Sequence, residues 1–415
     1  MSNRETRVFL NLNILGLFLT LLLVWNYWLP TYLYSSVLSI GPTDWGILYE
    51  AGRLWLAHQN PYLAQIPPTG FAYPPIALLL FGALALFPID FAGELWMITY
   101  VLMFAVALIV LALTISSGRR RVYVWVAVLL SLMSYPLMVM MKLGQCDLFI
   151  ASVCVLSLAS LRLKHSTCSA ILLAIGTLLQ GPAIFLLIYF VIFRRDLRYL
   201  AHFVIATLLM VGGSLLVIPT TLYWTYLAKV VPTLGSGIFT NVLAEVSNQS
   251  LVTYMAMAGL PGRAAYLLSL LGFLLFAVFS FYVSSHKLTL GGQSSVRSDA
   301  VFLMNVLLIL ALSPESWDHM YVWLIRPLAL FLSSALTEKV STSYLTLVGC
   351  ATFLVNSTLV QIFLPYPLNG AELPLLIIGN LMLIILLTVV CVRPAAIIQG
   401  NTSAQVAALD VIIDG

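Results

Sequence analysis

Six runs of about 20 residues contain no Asp, Glu, Lys or Arg: Val8–Leu29, Leu95–Ile115, Val122–Met141, Leu200–Ile218, Ala264–Ser284 and Pro374–Val392. Such runs suit the hydrocarbon core of a bilayer, which about 20 helical residues cross. Inside lipid every backbone N–H and C=O must be paired within the protein, so only helices and closed barrels span it. The alternating pattern of barrel strands is absent, so the runs predict helices. The expected fold class is an all-α polytopic membrane protein. With 61% of the residues hydrophobic and 8% charged, the polar stretches are all short. Residues 1–415 therefore read as a single transmembrane domain with membrane lipids as its surroundings. A net charge of +4 over this length makes no basic face for nucleic acid, and none is expected as a partner. The five cysteines (146, 154, 168, 350 and 391) are scattered through apolar runs without metal-ligand spacing. They read as packing residues, and neither a metal nor a cofactor is expected.

Val8–Leu29 follows Arg4 and Arg7, ends in Trp25, Tyr27, Trp28 and Pro30, and lacks a small-residue cleavage site. It reads as a retained first span, with residues 1–7 as a cytoplasmic start. The basic clusters are Arg119-Arg120-Arg121, Arg162/Lys164, Arg194-Arg195 with Arg198, Lys287/Arg297, and Lys339. Positive charge favours the cytoplasmic side. Counting every run as one crossing leaves the first two clusters outside. All lie inside if Pro74–Pro88 does not cross and the run Cys168–Phe193 breaks at Gln180-Gly181-Pro182 into two short crossings. Pro182 removes a helical hydrogen bond, which makes that break reasonable. The result is a bundle of about 12 transmembrane helices with a cytoplasmic tail at 393–415. Four segments then lie outside together: a first outer loop at 30–73, Gly144–Asp147, Pro219–Gly262 and Ser313–Met320. Gln180 faces the same side.

The polar residues in those segments are the candidates for chemistry. In Asp44-Trp45-Gly46-Ile47-Leu48-Tyr49-Glu50-Ala51-Gly52-Arg53-Leu54-Trp55-Leu56, the residues Trp45, Leu48, Tyr49, Gly52, Trp55 and Leu56 share one face, and Glu50 and Arg53 fall on the other. This predicts an amphipathic juxtamembrane helix in the first outer loop, ended by Asn60-Pro61-Tyr62. Asp44 stands at its N-terminus, where the helix dipole favours negative charge. It reads equally as a helix cap or as a general base at the membrane boundary. Lys142 through Asp147 form a polar knot, readable as a tight turn with a snorkelling Lys. Asn248-Gln249-Ser250 is a short motif that also fits a glycosylation acceptor. Ser313 through Met320 brings Glu315, Asp318 and His319 together, and Arg326 lies two α-helical turns beyond His319. Arg326 suits either a phosphate or an ion pair with Glu315 or Asp318.

Taken in order, these segments resemble a known family. Asp44-Trp45 with Tyr49, Ala51-Gly52, Asn60-Pro61-Tyr62 and Tyr73-Pro74-Pro75 are similar to the opening of the polyprenyl-phosphate-mannose-dependent mannosyltransferases, glycosyltransferase family 87. Gly144-Gln145, Asn248-Gln249-Ser250, Ser313-Pro314 and Trp317-Asp318-His319 are similar to its later signatures. The resemblance runs from Asp44 to Pro327. It implies the GT-C superfamily, a bundle that takes a sugar from a polyprenyl-phosphate carrier outside the cell membrane. The sugar passes, usually with inversion, to a lipid- or glycan-linked acceptor. It further implies Asp44 as general base and His319 in the same cavity. The family usually has a Lys where Gln180 stands, so Arg326 is expected to compensate.

The chemistry asks for a base on the acceptor hydroxyl and for groups that stabilise charge on the departing phosphate. The expected donor-phosphate contacts are Arg326, His319, Gln180 and Lys142. Glu50, Arg53, Asn60, Tyr62, Tyr73, Gln145, Asn248, Gln249, Trp317 and Asp318 are expected around the substrate cavity. A rival reading is a lipid or sugar transporter or flippase, which an intramembrane Arg326 and a broken helix at Gln180 would also suit. A non-catalytic member of an envelope-assembly complex is a third. No internal repeat is visible, and large outer loops on one side favour an enzyme.

Overall fold

The computed structural model describes residues 44–64, 66, 70–232, 248–285, 295–313, 316–338, 340–356 and 375–392. The expected first span Val8–Leu29, the tail at 393–415, Glu315 and Lys339 lie outside the described residues. Among those described, the regular structure is helical, with one isolated bridge between Asn248 and Trp317. Five helical segments are long and apolar enough to cross a membrane. Four shorter apolar stretches accompany them, and the first of the about 12 expected helices lies outside the described residues.

The described residues begin with α1 (Asp44–Leu56) and α2 (Ala77–Leu84), which pack as a hairpin. A Cβ on Gly52 would lie 2.4 Å from the Phe81 carbonyl oxygen, so the two backbones meet where no side chain fits. This packing buries Ile47, Ala51 and Leu54 as well as Trp45 and Leu48, a wider face than the apolar spacing suggested. α1 stops at Leu56, ahead of Asn60, and His58 takes a positive φ of 57° just beyond. The eight residues of α2 span about 12 Å, far short of the ~30 Å hydrocarbon core. The segment between Pro74 and Pro88 therefore does not cross as a helix.

Next come α3 (Ile89–Leu113), α4 (Ser117–Leu132), α5 (Tyr135–Leu143), α6 (Asp147–Arg162) and α7 (Ser166–Leu179). The run Val122–Met141 is not one span. Ser134 accepts a hydrogen bond from the Leu137 amide at 3.1 Å, and Pro136 occupies the first turn of α5. A serine cap followed by proline starts a new helix even inside apolar sequence. The break at Gln180 is present: α7 ends there in extended backbone. A 3-10 turn (Gly181–Leu186) and a π turn (Ile188–Phe193) follow.

The chain continues through α8 (Leu197–Ser214), α9 (Thr220–Thr225) with a π turn (Tyr226–Val230), α10 (Leu251–Met257), α11 (Gly262–Ser285) and α12 (Ser295–Leu312). A 3-10 segment (Asp318–Leu324) leads into α13 (Ile325–Thr337), and α14 (Thr342–Asn356) and α15 (Leu375–Val392) close the described chain. The apolar windows of α12 and of Asp318–Thr337 are 78% and 83% buried, against 28%, 22% and 28% for α3, α8 and α11. α12 and α13 are thus the centre of the bundle. The exposed Leu208, Leu209, Leu274 and Leu275 of α8 and α11 suit contact with lipid tails.

The bundle has two polar ends, and α6 joins them. At the Arg162 end, fully buried Asp299 on α12 pairs with both Arg119 on α4 and Arg162. Ser334 on α13 donates to the same carboxylate at 3.0 Å. Arg119 also reaches Ser333 at 3.1 Å and the Leu330 carbonyl at 2.8 Å. A buried carboxylate is tolerable here because both of its oxygens accept from donors, two of them cationic. Asp147 begins α6 at the other end.

Candidate functional site

Gly144 builds this second polar end. It caps α5 in left-handed backbone, φ 69°, and a Cβ there would stand 2.8 Å from Cβ of Trp45. Only glycine meets both demands. Trp45 is in turn held against Gly93 of α3, and Trp96 donates to the Gly144 carbonyl at 3.0 Å. The Gly144-Gln145 turn is thereby locked onto the first turn of α1, beside Asp44. Gly144→Ala is expected to destabilise the protein by about 2 kcal/mol or more, from backbone strain and the contact with Trp45. Thermal unfolding in detergent checks this; an unchanged midpoint would show that the left-handed cap and the Trp45 contact impose no such demand.

Gln145 then donates from Nε2 to Asp44 Oδ2 at 2.7 Å, and its Oε1 accepts from the Tyr73 hydroxyl at 2.8 Å. Among the described residues, Oδ1 of Asp44 takes no hydrogen bond. Burial of the Tyr73 hydroxyl raises its pKa well above a phenol's usual range, and nearby Cys146, Asp147 and Asp44 add to the rise. Tyr73 therefore stays a neutral donor and fixes which end of the Gln145 amide faces the carboxylate. Tyr62 donates to the Tyr73 carbonyl at 2.8 Å, and its ring lies beside Phe71 and Tyr226. Asn60 tethers this elbow to Thr225 at 3.2 Å.

A second cluster stands two residues on. Asp147 is 2% exposed. Its Oδ1 accepts from Gln180 Nε2 at 3.0 Å, and its Oδ2 lies 3.4 Å from His319 Nε2. Asp318 flanks the ring from its other nitrogen, with Oδ1 3.6 Å from Nδ1, and accepts the His319 backbone N–H at 2.7 Å. The Tyr135 hydroxyl reaches Asp318 Oδ2 at 3.3 Å. Gln180 Oε1 is buried without a partner among the described residues.

The other expected site residues lie apart from these clusters or brace them. Asn248 is buried, and its Oδ1 accepts from the Ser250 and Ser316 amides at 3.2 Å each, which does not suit a glycan acceptor. Gln249 donates its amide to the Ser316 carbonyl at 2.7 Å, and its Oε1 accepts from Tyr254 at 3.1 Å. These two residues, with half-buried Trp317, hold the strand-like start of the His319 segment. Glu50 and Arg53 form an exposed bidentate pair at 2.7 Å. Lys142 is exposed in the last turn of α5.

Arg326 is not on the face expected for it. The 3-10 segment between Asp318 and Leu324 turns more tightly than an α-helix, so seven residues no longer make two turns. Its guanidinium donates to the Phe104 carbonyl at 2.8 Å and to Ser152 at 3.1 Å, and lies 3.8 Å above the Phe104 ring. No ion pair with Asp318 forms. In sequence Asp147 reads as the end of a tight turn, although a carboxylate that opens an otherwise apolar helix is a signal for a buried role.

Residues 71–314, more than half of the chain, match the family model described as glycosyltransferase family 87. The chain belongs to glycosyltransferase family 87. No curated protein matches it. As a family 87 protein with five membrane-length helices among its described residues, it is a membrane glycosyltransferase. The matched stretch contains Tyr73, Gln145, Asp147 and Gln180, whereas Asp44, Asp318, His319 and Arg326 fall outside it. Direct contacts with Gln145 and Asp147 join Asp44 and His319 to the family core.

Proposed function

We propose that this family 87 enzyme moves a sugar, mannose or a close relative, from a polyprenyl-phosphate carrier to a lipid- or glycan-linked acceptor, with inversion. The observation that carries the reading is the convergence of Asp44, Gln145, Asp147, Gln180 and His319, from distant parts of the chain, at one end of an apolar bundle. Arg119 and Arg162 gather at the opposite end. The excess of positive charge on cytoplasmic loops supports an outward-facing site at the Asp44 end.

In this reading Oδ1 of Asp44 removes the acceptor hydroxyl proton while Gln145 holds Oδ2. The acceptor oxygen bonds to the anomeric carbon from the face opposite the phosphate. The bond from that carbon to the phosphate oxygen breaks, and the electron pair leaves with the polyprenyl phosphate. His319 opposes the growing phosphate charge, with Gln180 beside it and Lys142 at the rim. The tail lies among the apolar helices. The test is transfer of labelled sugar from a synthetic polyprenyl-phosphate sugar by purified protein in detergent or vesicles. No incorporation into any lipid or glycan acceptor, by protein that is folded, would refute the assignment.

Arg326 enters through its charge. One terminal nitrogen of its guanidinium is held by Phe104 and Ser152, and Ser152 lies five residues beyond Asp147, about 8 Å deeper along α6. At an effective dielectric near 20, a cation at about that distance stabilises a phosphate by roughly 1–2 kcal/mol. Arg326→Met is therefore expected to raise the donor KM by about tenfold. Arg326→Lys, which keeps the charge, should stay within about threefold. Donor kinetics of the two variants check this: equal losses would mean a direct fork-to-phosphate contact.

A further inference from the structure

Among the described residues, Asp147 is the most deeply buried carboxylate at this end of the bundle, and the transfer step does not use it. Burying it is costly unless its oxygens are committed, and both are. Oδ1 takes the Gln180 amide at 3.0 Å and Oδ2 faces His319 Nε2 at 3.4 Å. The opposite ring nitrogen faces Asp318 at 3.6 Å, and Asp318 is itself tied to the His319 backbone N–H and to Tyr135. The imidazole is thus bracketed edge-on by two carboxylates from different elements, one on α6 and one on its own segment. Asp318 is the neighbour of His319 in sequence and moves with it. Among the described residues, Asp147 is the carboxylate that ties the ring directly to another helix, α6.

We propose that Asp147 is a positioning residue: it fixes the orientation and the donating role of the His319 ring and turns the Gln180 amide so that its Oε1 faces away, as an acceptor. A carboxylate on one ring nitrogen sets what the other nitrogen presents, and here both nitrogens are presented with acceptors. The arrangement suits a ring that donates from both sides. Both ring N–H groups are then committed to the two carboxylates, and a phosphate arriving at the cluster meets the positive charge of a ring that Asp147 holds in place. This rests on the reading of His319 as the donor-phosphate group. It goes beyond that reading in naming what holds the group and in predicting that Asp147 acts only through it.

The test measures kcat and KM for both substrates, thermal midpoints, and binding of polyprenyl phosphate against uncharged polyprenol. The proteins are wild type, Asp147→Asn, His319→Gln and the double variant, each as the full chain. Asp147→Asn preserves shape and the contact to Gln180 and removes the charge. It is expected to raise the donor KM by about tenfold, the low end for losing a supporting partner of a site residue. The acceptor KM should be unchanged, and polyprenyl phosphate should weaken while polyprenol does not. In the His319→Gln background, Asp147→Asn should add less than about twofold, because the group it positions is gone. Full multiplication of the two effects, or equal weakening of phosphate and polyprenol, would overturn the proposal. If Asp147→Asn does not fold, Asp147→Glu keeps the charge and displaces the ring; an unaltered donor KM in that variant overturns the proposal too. If His319→Gln binds polyprenyl phosphate normally, the assignment of His319 fails and this inference falls with it. His319→Gln weakening phosphate with Asp147→Asn unaffected leaves the assignment standing and removes only the inference.

Discussion

Asp44→Asn is expected to fold and insert like the native protein and to lose sugar transfer by at least ~100-fold, the low end for removal of a positioned base. The substitution is nearly isosteric. Its side-chain oxygen still accepts the hydrogen bond from Gln145 Nε2, so the lock between α1 and the Gly144-Gln145 turn survives. What it cannot do is take a proton from the acceptor hydroxyl. Glu50 is a poor substitute, because it lies nearly two turns along α1 and is paired with Arg53. Initial rates together with a thermal midpoint decide the matter. Turnover close to wild type would place the base elsewhere, and a collapsed midpoint would show that Asp44 is a helix-starting residue first.

The second large effect is expected at His319. His319→Gln is expected to cut transfer by ~100-fold, comparable with removing one preorganised donor from a developing anion. Gln is preferred to Ala for this test. The ring is 6% exposed and separates Asp147 from Asp318, so truncation would leave two carboxylates facing each other across a void. The loss should appear in the donor terms, with acceptor KM preserved. A loss confined to acceptor KM would move His319 out of the phosphate site. Transfer from donors with a better leaving group should suffer less, since they need less charge stabilisation as the bond breaks.

Much of the architecture is legible in local sequence because local chemistry dictates it. The apolar spacing from Trp45 to Leu56 specifies an amphipathic helix, and α1 forms within one residue of those bounds. Gln180-Gly181-Pro182 announces a break, and α7 ends there. Other features are less visible. Ser134 and Pro136 restart the chain inside a run whose average hydropathy hides them. The two-turn spacing from His319 to Arg326 assumes an α-helix, and the tighter 3-10 segment rotates Arg326 towards Phe104. Asp147 is legible as a carboxylate at a turn that opens an apolar helix, but its meaning comes from Gln180 and His319, which the fold and not the sequence brings near. Partnership across a bundle has no local signature.

The buried carboxylate at the far end of the bundle has a mechanical consequence. Asp299 joins α4, α6, α12 and α13 through Arg119, Arg162 and Ser334. Three of those four helices, followed to the opposite end, lead to a piece of the candidate site: Tyr135 after α4, Asp147 at the head of α6, and His319 ahead of α13. Helices clasped at one end cannot slide past one another, so their free ends keep a common height. Asp299 therefore works like the rivet of a folding fan. It lies roughly 20 Å or more from the candidate site, given the length of α6, and holds the blades in register there.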